Sequence, residues 1–274
     1  MSRSSFKGKT VVVTGGASGI GHAVCQAFAR KGAGIAMLDM DPAALGRAET
    51  EFKTRGWPIL TLTCNVTSKS DCDTAINAVI DHFGGIDVLF NNAGITQRGL
   101  FNDTRVQVFE QVMQVNFFGS LYCTKAALPA IIRRKGAIIV NESIAGVAPL
   151  LGRTGYSASK HALHGLFTSL RCELRSQGVH VMIVCPGFIR TNLQTRALGA
   201  DGNIATHEQT RIGSEDTAEH AADQIVAGLE RKTPNLVLTF MGKLGYALHR
   251  LSPVLYEKLM TRQFKKELSS SERL

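Results

Sequence analysis

The feature that most constrains the fold is a glycine-rich turn between an apolar strand and a helix, near the start of the chain. Residues 9–14 are mostly β-branched and apolar, as expected of a buried parallel strand, and the turn Gly15-Gly-Ala-Ser-Gly-Ile-Gly21 follows directly. A helical pattern then covers residues 23–31, and residues 35–39 indicate a second strand. Strand, turn, helix and strand in this order predict a βαβ unit, which belongs to a parallel sheet.

The same alternation continues along the chain. Further strands are predicted at residues 59–64, 87–91, 137–141, 179–185 and 236–240. Helices are predicted at residues 41–55, 67–85, 104–134, 156–177 and 215–231. Asp41 as N-cap and Pro42 at the first helical position mark the start of the second helix.

This pattern predicts an α/β fold with a doubly wound (Rossmann-type) parallel sheet of seven strands and helices on both faces. No linker or repeat interrupts it, so residues 1–274 are predicted to form a single dinucleotide-binding and catalytic domain. Residues 188–213 are polar without clear periodicity, and we expect a substrate lid there. Residues 241–274 are predicted to form a C-terminal helical extension.

The glycine turn is a candidate phosphate site. Gly15, Gly19 and Gly21 allow close approach of the backbone, and the helix N-terminus offers N–H groups to an anion. Asp39 ends the second strand, where a carboxylate suits ribose hydroxyls and repels a 2′-phosphate. Neither the turn nor Met40 supplies a positive charge, so NAD is favoured and NADP is less favoured. A glycine-rich turn alone could equally have a purely structural role. Its position between a strand and a helix, together with Asp39, favours dinucleotide binding.

A second candidate centre is the stretch from Ser143 to Lys160. Tyr156 and Lys160 are four residues apart, which on a helix puts them on one face. An ammonium beside a phenol favours the phenolate, so we expect the Tyr156 pKa to lie below its ordinary value of about 10. A tyrosine tuned in this way exchanges a proton with an alcohol. The same pair also fits an ordinary surface ladder, so the rest of the chain decides.

Taken together, these motifs resemble the short-chain dehydrogenase/reductase (SDR) family over residues 7–240. Residues 14–21 carry the family's TGxxxGxG, residues 91–94 its NNAG and residues 186–187 its PG pair, in the family's order. The family's Asn-Ser-Tyr-Lys tetrad is matched by Asn116, Ser143, Tyr156 and Lys160.

The resemblance implies hydride transfer, with Tyr156 moving the proton, Lys160 lowering the tyrosine pKa and holding the nicotinamide ribose, and Ser143 orienting the substrate oxygen. Asn116 would anchor a water where the long helix is disturbed, or satisfy local backbone. Asn65 stands where many members have an aspartate at the adenine, and Thr191 would touch the nicotinamide amide. The implied cofactor contacts are Gly15, Ser18, Gly19, Ile20, Gly21, Asp39, Asn65, Val66, Asn92, Ala93, Gly94, Tyr156, Lys160, Pro186, Gly187 and Thr191.

The candidate substrate residues around Ser143 and Tyr156 are apolar. They are Ala145, Val147, Leu150, Leu151 and Phe188. Such walls favour a lipophilic secondary alcohol or ketone, such as a steroid, retinoid, fatty or alicyclic compound, although they could serve only to exclude water. A 3-oxoacyl-thioester reductase is an alternative, although such enzymes usually use NADP and end soon after the seventh strand. A non-catalytic dinucleotide sensor would need the glycine turn but not the tetrad.

The charge pattern bears on partners other than the small-molecule substrate. The net charge is +9, and nine Lys/Arg against three Asp/Glu lie after residue 230. No nucleic-acid motif accompanies this excess, so nucleic-acid binding is not expected. We expect the basic, apolar tail to pack on the domain or on a subunit of a homodimer or homotetramer. Peripheral membrane contact through the tail is the less favoured hypothesis.

Other residues suggest no further site. The six cysteines show no CxxC pair, so neither a disulfide framework nor a metal site is expected. No apolar run approaches the 18 or so residues that span a membrane, and we predict a cytoplasmic protein. His161 and His164 face no recognisable carboxylate in sequence, and Glu142 is expected to be structural or solvated.

Overall fold

The sheet has the predicted parallel, seven-stranded form. The computed structural model describes residues 6–191, 193, 195–206 and 215–269, and the strand order is β3-β2-β1-β4-β5-β6-β7. The strands are β1 (Thr10–Thr14), β2 (Gly34–Asp39), β3 (Ile59–Thr63), β4 (Val88–Asn91), β5 (Ala137–Asn141), β6 (His180–Cys185) and β7 (Asn235–Val237). Parts of the predicted lid (residues 192, 194 and 207–213) and of the tail (residues 270–274) lie outside the described residues.

The helices alternate with the strands as predicted. They are α1 (Gly19–Arg30), α2 (Pro42–Thr54), α3 (Lys69–Phe83), α4 (Val106–Met113), α5 (Gly119–Arg134), α6 (Thr154–Leu174), α7 (Ala218–Glu230), α8 (Phe240–Leu251) and α9 (Pro253–Ser269). The start of α2 is capped as expected, since the Asp41 carboxylate accepts a hydrogen bond from the Ala44 N–H at 3.0 Å.

Apolar residues cover both faces of the sheet, as expected of parallel strands between two helix layers. In β1, Val11 and Val13 join the core under α1, α2 and α7, whereas Val12 joins the core under α3, α5 and α6. This alternation follows from the two-residue period of a strand. The fold is therefore a single doubly wound domain over the described residues.

The strand order reverses between β1 and β4, and a crevice opens at their carboxyl ends. Both neighbours of β1 run parallel to it, and ligands of doubly wound folds bind at this switch point. The Asn92 side-chain amide fixes the crevice by donating to the carbonyls of Thr14 and Gly15, at 3.0 and 3.1 Å. The NNAG segment thus holds the glycine turn in place.

Two predicted elements differ from the structure. The last strand ends at Val237 rather than residue 240, because the Thr239 hydroxyl caps α8 by accepting from the Gly242 N–H at 3.2 Å. The long helical region contains a π-helical segment, Gln114–Phe118, between α4 and α5. Pro129 lies inside α5 without ending it.

One helix among the described residues is long and apolar enough, by length and composition alone, to cross a membrane. It is the continuous segment Val106–Arg134, so the expectation that no such run exists was wrong. In this fold its parts pack on α3 and α6, and it buries the polar side chains of Asn116, Ser120 and Thr124. These contacts make it part of a helix layer of the domain.

Candidate active site

Tyr156 and Lys160 occupy successive turns at the start of α6, as their spacing predicted. The Tyr156 N–H donates to Gln97 Oε1 at 2.9 Å, which fixes the first turn of this helix. The Lys160 side chain is buried, and its ammonium donates to the Asn141 carbonyl at 2.7 Å. Lys160 Nζ lies 5.5 Å from the centre of the Tyr156 ring.

Ser143 reaches the same place from the end of β5. It precedes a short 3-10 turn, Ile144–Gly146, and its hydroxyl accepts from the Ala145 N–H at 3.1 Å. The Ser143 side chain also hydrogen-bonds Tyr156, and this bond favours the ionised phenol. The two hydroxyl groups therefore lie together at the wall of one cavity.

The expected lowering of the tyrosine pKa is wrong for this structure. Burial raises the Tyr156 pKa to about 12, with the Ser143 hydrogen bond opposing and the Glu142 charge adding to that rise. Burial lowers the Lys160 pKa to about 8, against the opposing effect of Glu142. The physical reason is that desolvation disfavours each charged form, and the lysine ammonium bonds a backbone carbonyl rather than the phenol.

Asn116 lies in the π-helical segment, so the predicted disturbance of the long helix is confirmed. Its side chain is fully buried. The amide oxygen accepts from the Ile95 N–H at 2.8 Å, and the amide nitrogen donates to the Ile95 carbonyl and to Ser159 Oγ, at 3.0 and 2.9 Å. The hypothesis that Asn116 satisfies local backbone is confirmed, and its role in anchoring a water stays a prediction.

The glycine turn has the form that a phosphate site requires. Gly15 and Gly19 adopt positive φ angles of 61° and 53°, which favour glycine. Within the described residues, Ser18 makes no side-chain capping bond at the start of α1, so the first N–H groups are left for an anion. Asp39 Oδ2 accepts from the Ala17 N–H at 3.0 Å, holding the turn beside the end of β2.

A cavity of about 470 Å³ brings most of the predicted residues together. The predicted residues that line it are Ile20, Asn92, Gly94, Ser143, Ala145, Leu150, Tyr156, Lys160, Pro186, Gly187, Phe188 and Thr191. Leu151 does not line it, and its N–H contacts Met260 Sδ at 3.2 Å. Asn65 is exposed outside the cavity wall and accepts from the Thr67 N–H and hydroxyl, at 3.1 and 2.9 Å.

The sequence-based prediction missed the roof of this cavity, which comes from the C-terminal extension. The roof residues include Phe240, Leu244, Leu248, Tyr256, Met260 and Phe264. Met260 and Phe264 are buried, so α9 packs on the domain. This agrees with the favoured hypothesis for the tail. The apolar positions at helical spacing after residue 240 were the available signal.

One expectation about side chains near Ser143 was also wrong. His164 has a carboxylate partner, since its Nδ1 lies 3.1 Å from Glu142 Oε1. The Glu142 side chain is fully buried, which agrees with the structural alternative of the two that the sequence left open. Sequence spacing alone hides the pair, because the two residues come from β5 and α6 and meet only in the folded chain.

The comparisons with known proteins agree with this geometry. The family model described as short chain dehydrogenase matches residues 9–201. The chain is 34% identical over 277 residues to "Dehydrogenase/reductase SDR family member 7B" of Bos taurus, covering 98% of this chain and 85% of that protein. It is 38% identical over 190 residues to "11-beta-hydroxysteroid dehydrogenase-like 2" of Arabidopsis thaliana, covering 69% of this chain and 61% of that protein.

Solved structures share the fold. A short-chain dehydrogenase/reductase from Burkholderia phymatum in complex with NAD aligns with a TM-score of 0.82 at 23% identity, over 91% of this chain and 95% of that one. A short-chain dehydrogenase from Streptomyces avermitilis aligns with a TM-score of 0.77 at 25% identity, over 97% and 99%.

Fold and site thus place the chain in a family of oxidoreductases. The chain belongs to the short-chain dehydrogenase/reductase family.

Proposed function

We propose that this protein transfers a hydride between NAD(H) and a lipophilic secondary alcohol or ketone. The observation that carries the proposal is the position of the Ser143 and Tyr156 hydroxyls at the wall of a cavity that α8 and α9 roof with apolar side chains. Such a cavity excludes water from the reacting carbon. Steroid, retinoid, fatty and alicyclic compounds are the candidate substrates.

The residues of the crevice fit a nicotinamide dinucleotide. The N-terminus of α1 suits the pyrophosphate, and Asp39 suits the adenosine ribose. Asn141 lines the cavity, and its Oδ1 is buried without a hydrogen-bond partner among the described residues. The bound cofactor supplies the hydride chemistry. The carboxylate of Asp39 and the exposed Met40 beside it support NAD over NADP.

The protein's own groups then handle the proton. Tyr156 gives its phenolic proton to the substrate oxygen during reduction and takes it back during oxidation. Ser143 donates a hydrogen bond to the same oxygen and holds it next to the phenol. Lys160 provides a positive charge one turn away, which favours the tyrosinate formed during reduction.

The experiment that tests this proposal is a panel of alcohols and ketones with both cofactors, followed by NADH and NADPH absorbance. Turnover of lipophilic members with NAD(H) supports the proposal. A preference for 3-oxoacyl thioesters with NADPH would favour the reductase alternative. Cofactor binding without turnover of any panel member would favour the sensor.

The apolar outer face of α8 and α9 supports a partner as well. Leu251, Val254 and Leu255 are 85%, 61% and 47% exposed, and a second copy of this chain is the occupant we propose, as in a homodimer or homotetramer. Leu251→Asp should then shift the protein to a smaller species in light scattering. If Leu251→Asp leaves the mass of the protein unchanged but abolishes its binding to anionic vesicles, membrane contact is favoured instead. A cytoplasmic location remains a prediction.

A further inference from the structure

Glu142 is a buried carboxylate that the proposed reaction does not use. It lies between Asn141, whose carbonyl holds Lys160, and Ser143, and its side chain is fully buried. An isolated buried carboxylate is costly unless it is paired or hydrogen-bonded. Its partners therefore indicate what the residue does.

Those partners join three parts of the active site. His164 Nδ1 lies 3.1 and 3.3 Å from the two carboxylate oxygens, on α6. The Cys185 thiol donates to Glu142 Oε2 at 3.6 Å, from the end of β6. Gly146, which ends the turn after Ser143, has no room for a Cβ because the Glu142 side chain fills that space. The carboxylate thus ties the serine turn to both neighbouring elements.

The register of α6 connects this contact to the proton-transfer residues. Tyr156, Lys160 and His164 follow each other at intervals of four, so they lie along one face of the helix. The negative charge of Glu142 favours the charged form of Lys160 and disfavours the ionised form of Tyr156. Glu142 therefore acts on both groups without being a proton donor to the substrate.

His164 also borders a second cleft of about 420 Å³. Its side chain is 34% exposed, so solvent reaches it. The cleft is lined by Gly146, Val147, His161, Tyr246, His249, Arg250 and Pro253 in addition to His164.

We propose that Glu142 is a positioning residue of this active site, which fixes the Ser143 turn and places a carboxylate against α6, the helix of Tyr156 and Lys160, and that His164 links it to the second cleft. The proposal rests on the proposed function. The titratable and charged groups that face the pair are Tyr156, Lys160 and Arg171 from α6, Cys185 from β6, and His249 and Arg250 across the cleft.

The test is the pH profile of kcat for alcohol oxidation in Glu142→Gln. Oxidation needs ionised Tyr156 together with charged Lys160, so the pKa values of these two groups bound the profile on its acidic and alkaline sides. Because removal of the Glu142 charge lowers both pKa values, both limbs should move to lower pH by about one unit. A lower kcat with both limbs unmoved would overturn the proposal, since a merely structural role predicts that result.

Two further variants separate the effect of the carboxylate's charge from the effect of its position. Glu142→Asp keeps the charge but moves it away from α6, so the limbs should move less than in Glu142→Gln while kcat falls by about ten- to hundredfold. His161→Gln is the matched control, because His161 lines the same cleft but bonds the Ser157 carbonyl of its own helix. Limbs that move equally in His161→Gln and Glu142→Gln would contradict the assignment.

NMR titration of His164 tests the pair without any substrate. The Glu142 hydrogen bond holds the pKa of His164 above its ordinary value, and Glu142→Gln should lower it. A wild-type His164 pKa at or below the ordinary value would overturn the coupling, even if Glu142→Gln fails to fold. If no substrate is turned over, the proposed function fails while this titration still decides the role of the pair.

Discussion

Lys160 Nζ lies 5.5 Å from the centre of the Tyr156 ring, one turn further along α6, and donates a hydrogen bond to the Asn141 carbonyl rather than to the phenol. The lysine is buried at the edge of the cofactor crevice, where its charge is costly to keep. The charge of Lys160 therefore affects both the free energy of unfolding and the proton transfer at Tyr156.

Replacement of this lysine should therefore change how stability depends on pH. Burial lowers the Lys160 pKa to about 8, so the unfolded wild-type chain binds more protons between that pH and the unperturbed value of about 10.4, and wild-type stability rises with pH there. Lys160→Met removes this dependence. The difference in free energy of unfolding between the two proteins should change by about 3 kcal/mol across the window.

Chemical denaturation at several pH values measures this difference. Lys125→Met is a suitable control, because Lys125 is exposed on α5. A gap between Lys160→Met and wild type that stays constant from neutral to alkaline pH would show that the lysine is not strongly desolvated.

The choice of cofactor should depend on Asp39. Its carboxylate holds the glycine turn through the Ala17 N–H and repels a 2′-phosphate at the end of β2. Asp39→Ala should lower the preference for NAD, measured as kcat/KM with NAD divided by kcat/KM with NADP, by about tenfold, which corresponds to about 1.4 kcal/mol. Stronger wild-type activity with NADPH than with NADH would contradict this role of Asp39.

Asn116 should matter for stability as well as for activity. Asn116→Ala leaves the N–H and the carbonyl of Ile95 without their side-chain partner, and unpaired buried groups cost about 1–3 kcal/mol each. Urea denaturation should show a loss in that range or above. Ser159→Ala removes only one of the bonds to Asn116, so a larger loss in that variant would be inconsistent with the account.

The roof of the cavity should control the affinity for lipophilic substrates. Leu244 lines the cavity on α8, whereas Leu251 ends the same helix away from it. Leu244→Asn should raise KM for a lipophilic ketone by about fivefold, because Leu244 is 50% exposed and a substrate that covers the rest of this side chain gains about 1 kcal/mol. Leu251→Asn should leave KM unchanged. Equal effects of the two substitutions would argue against the roof as a substrate contact.

Much of the fold could be predicted from short patterns, because parallel strands and the turns between them have strong local signals. The useful local signals were the apolar run before Gly15, the Asp41-Pro42 cap and the final residues of each strand. Together they place the tetrad at one edge of the sheet. The seventh strand was predicted too long, because the Thr239 cap that ends it is a weak signal beside the apolar residues around it.

The parts that were missed depend on contacts between distant segments. The direction of the Tyr156 pKa depends on burial, which is set by the whole cavity and not by the spacing to Lys160. The pairing of Glu142 with His164 joins residues on different elements. The roof formed by α8 and α9 depends on how these helices pack, which hydrophobic spacing alone does not determine.

The most direct test of the central claim compares wild type with Tyr156→Phe, using NADH absorbance with lipophilic alcohols and ketones and NADH fluorescence for binding. We predict that wild type turns over members of the panel. Tyr156→Phe should lose about 10²- to 10⁴-fold in rate because the proton donor is gone, and should still bind NADH. Undiminished turnover in Tyr156→Phe, or a wild type that binds NADH and turns over no panel member, would contradict the account.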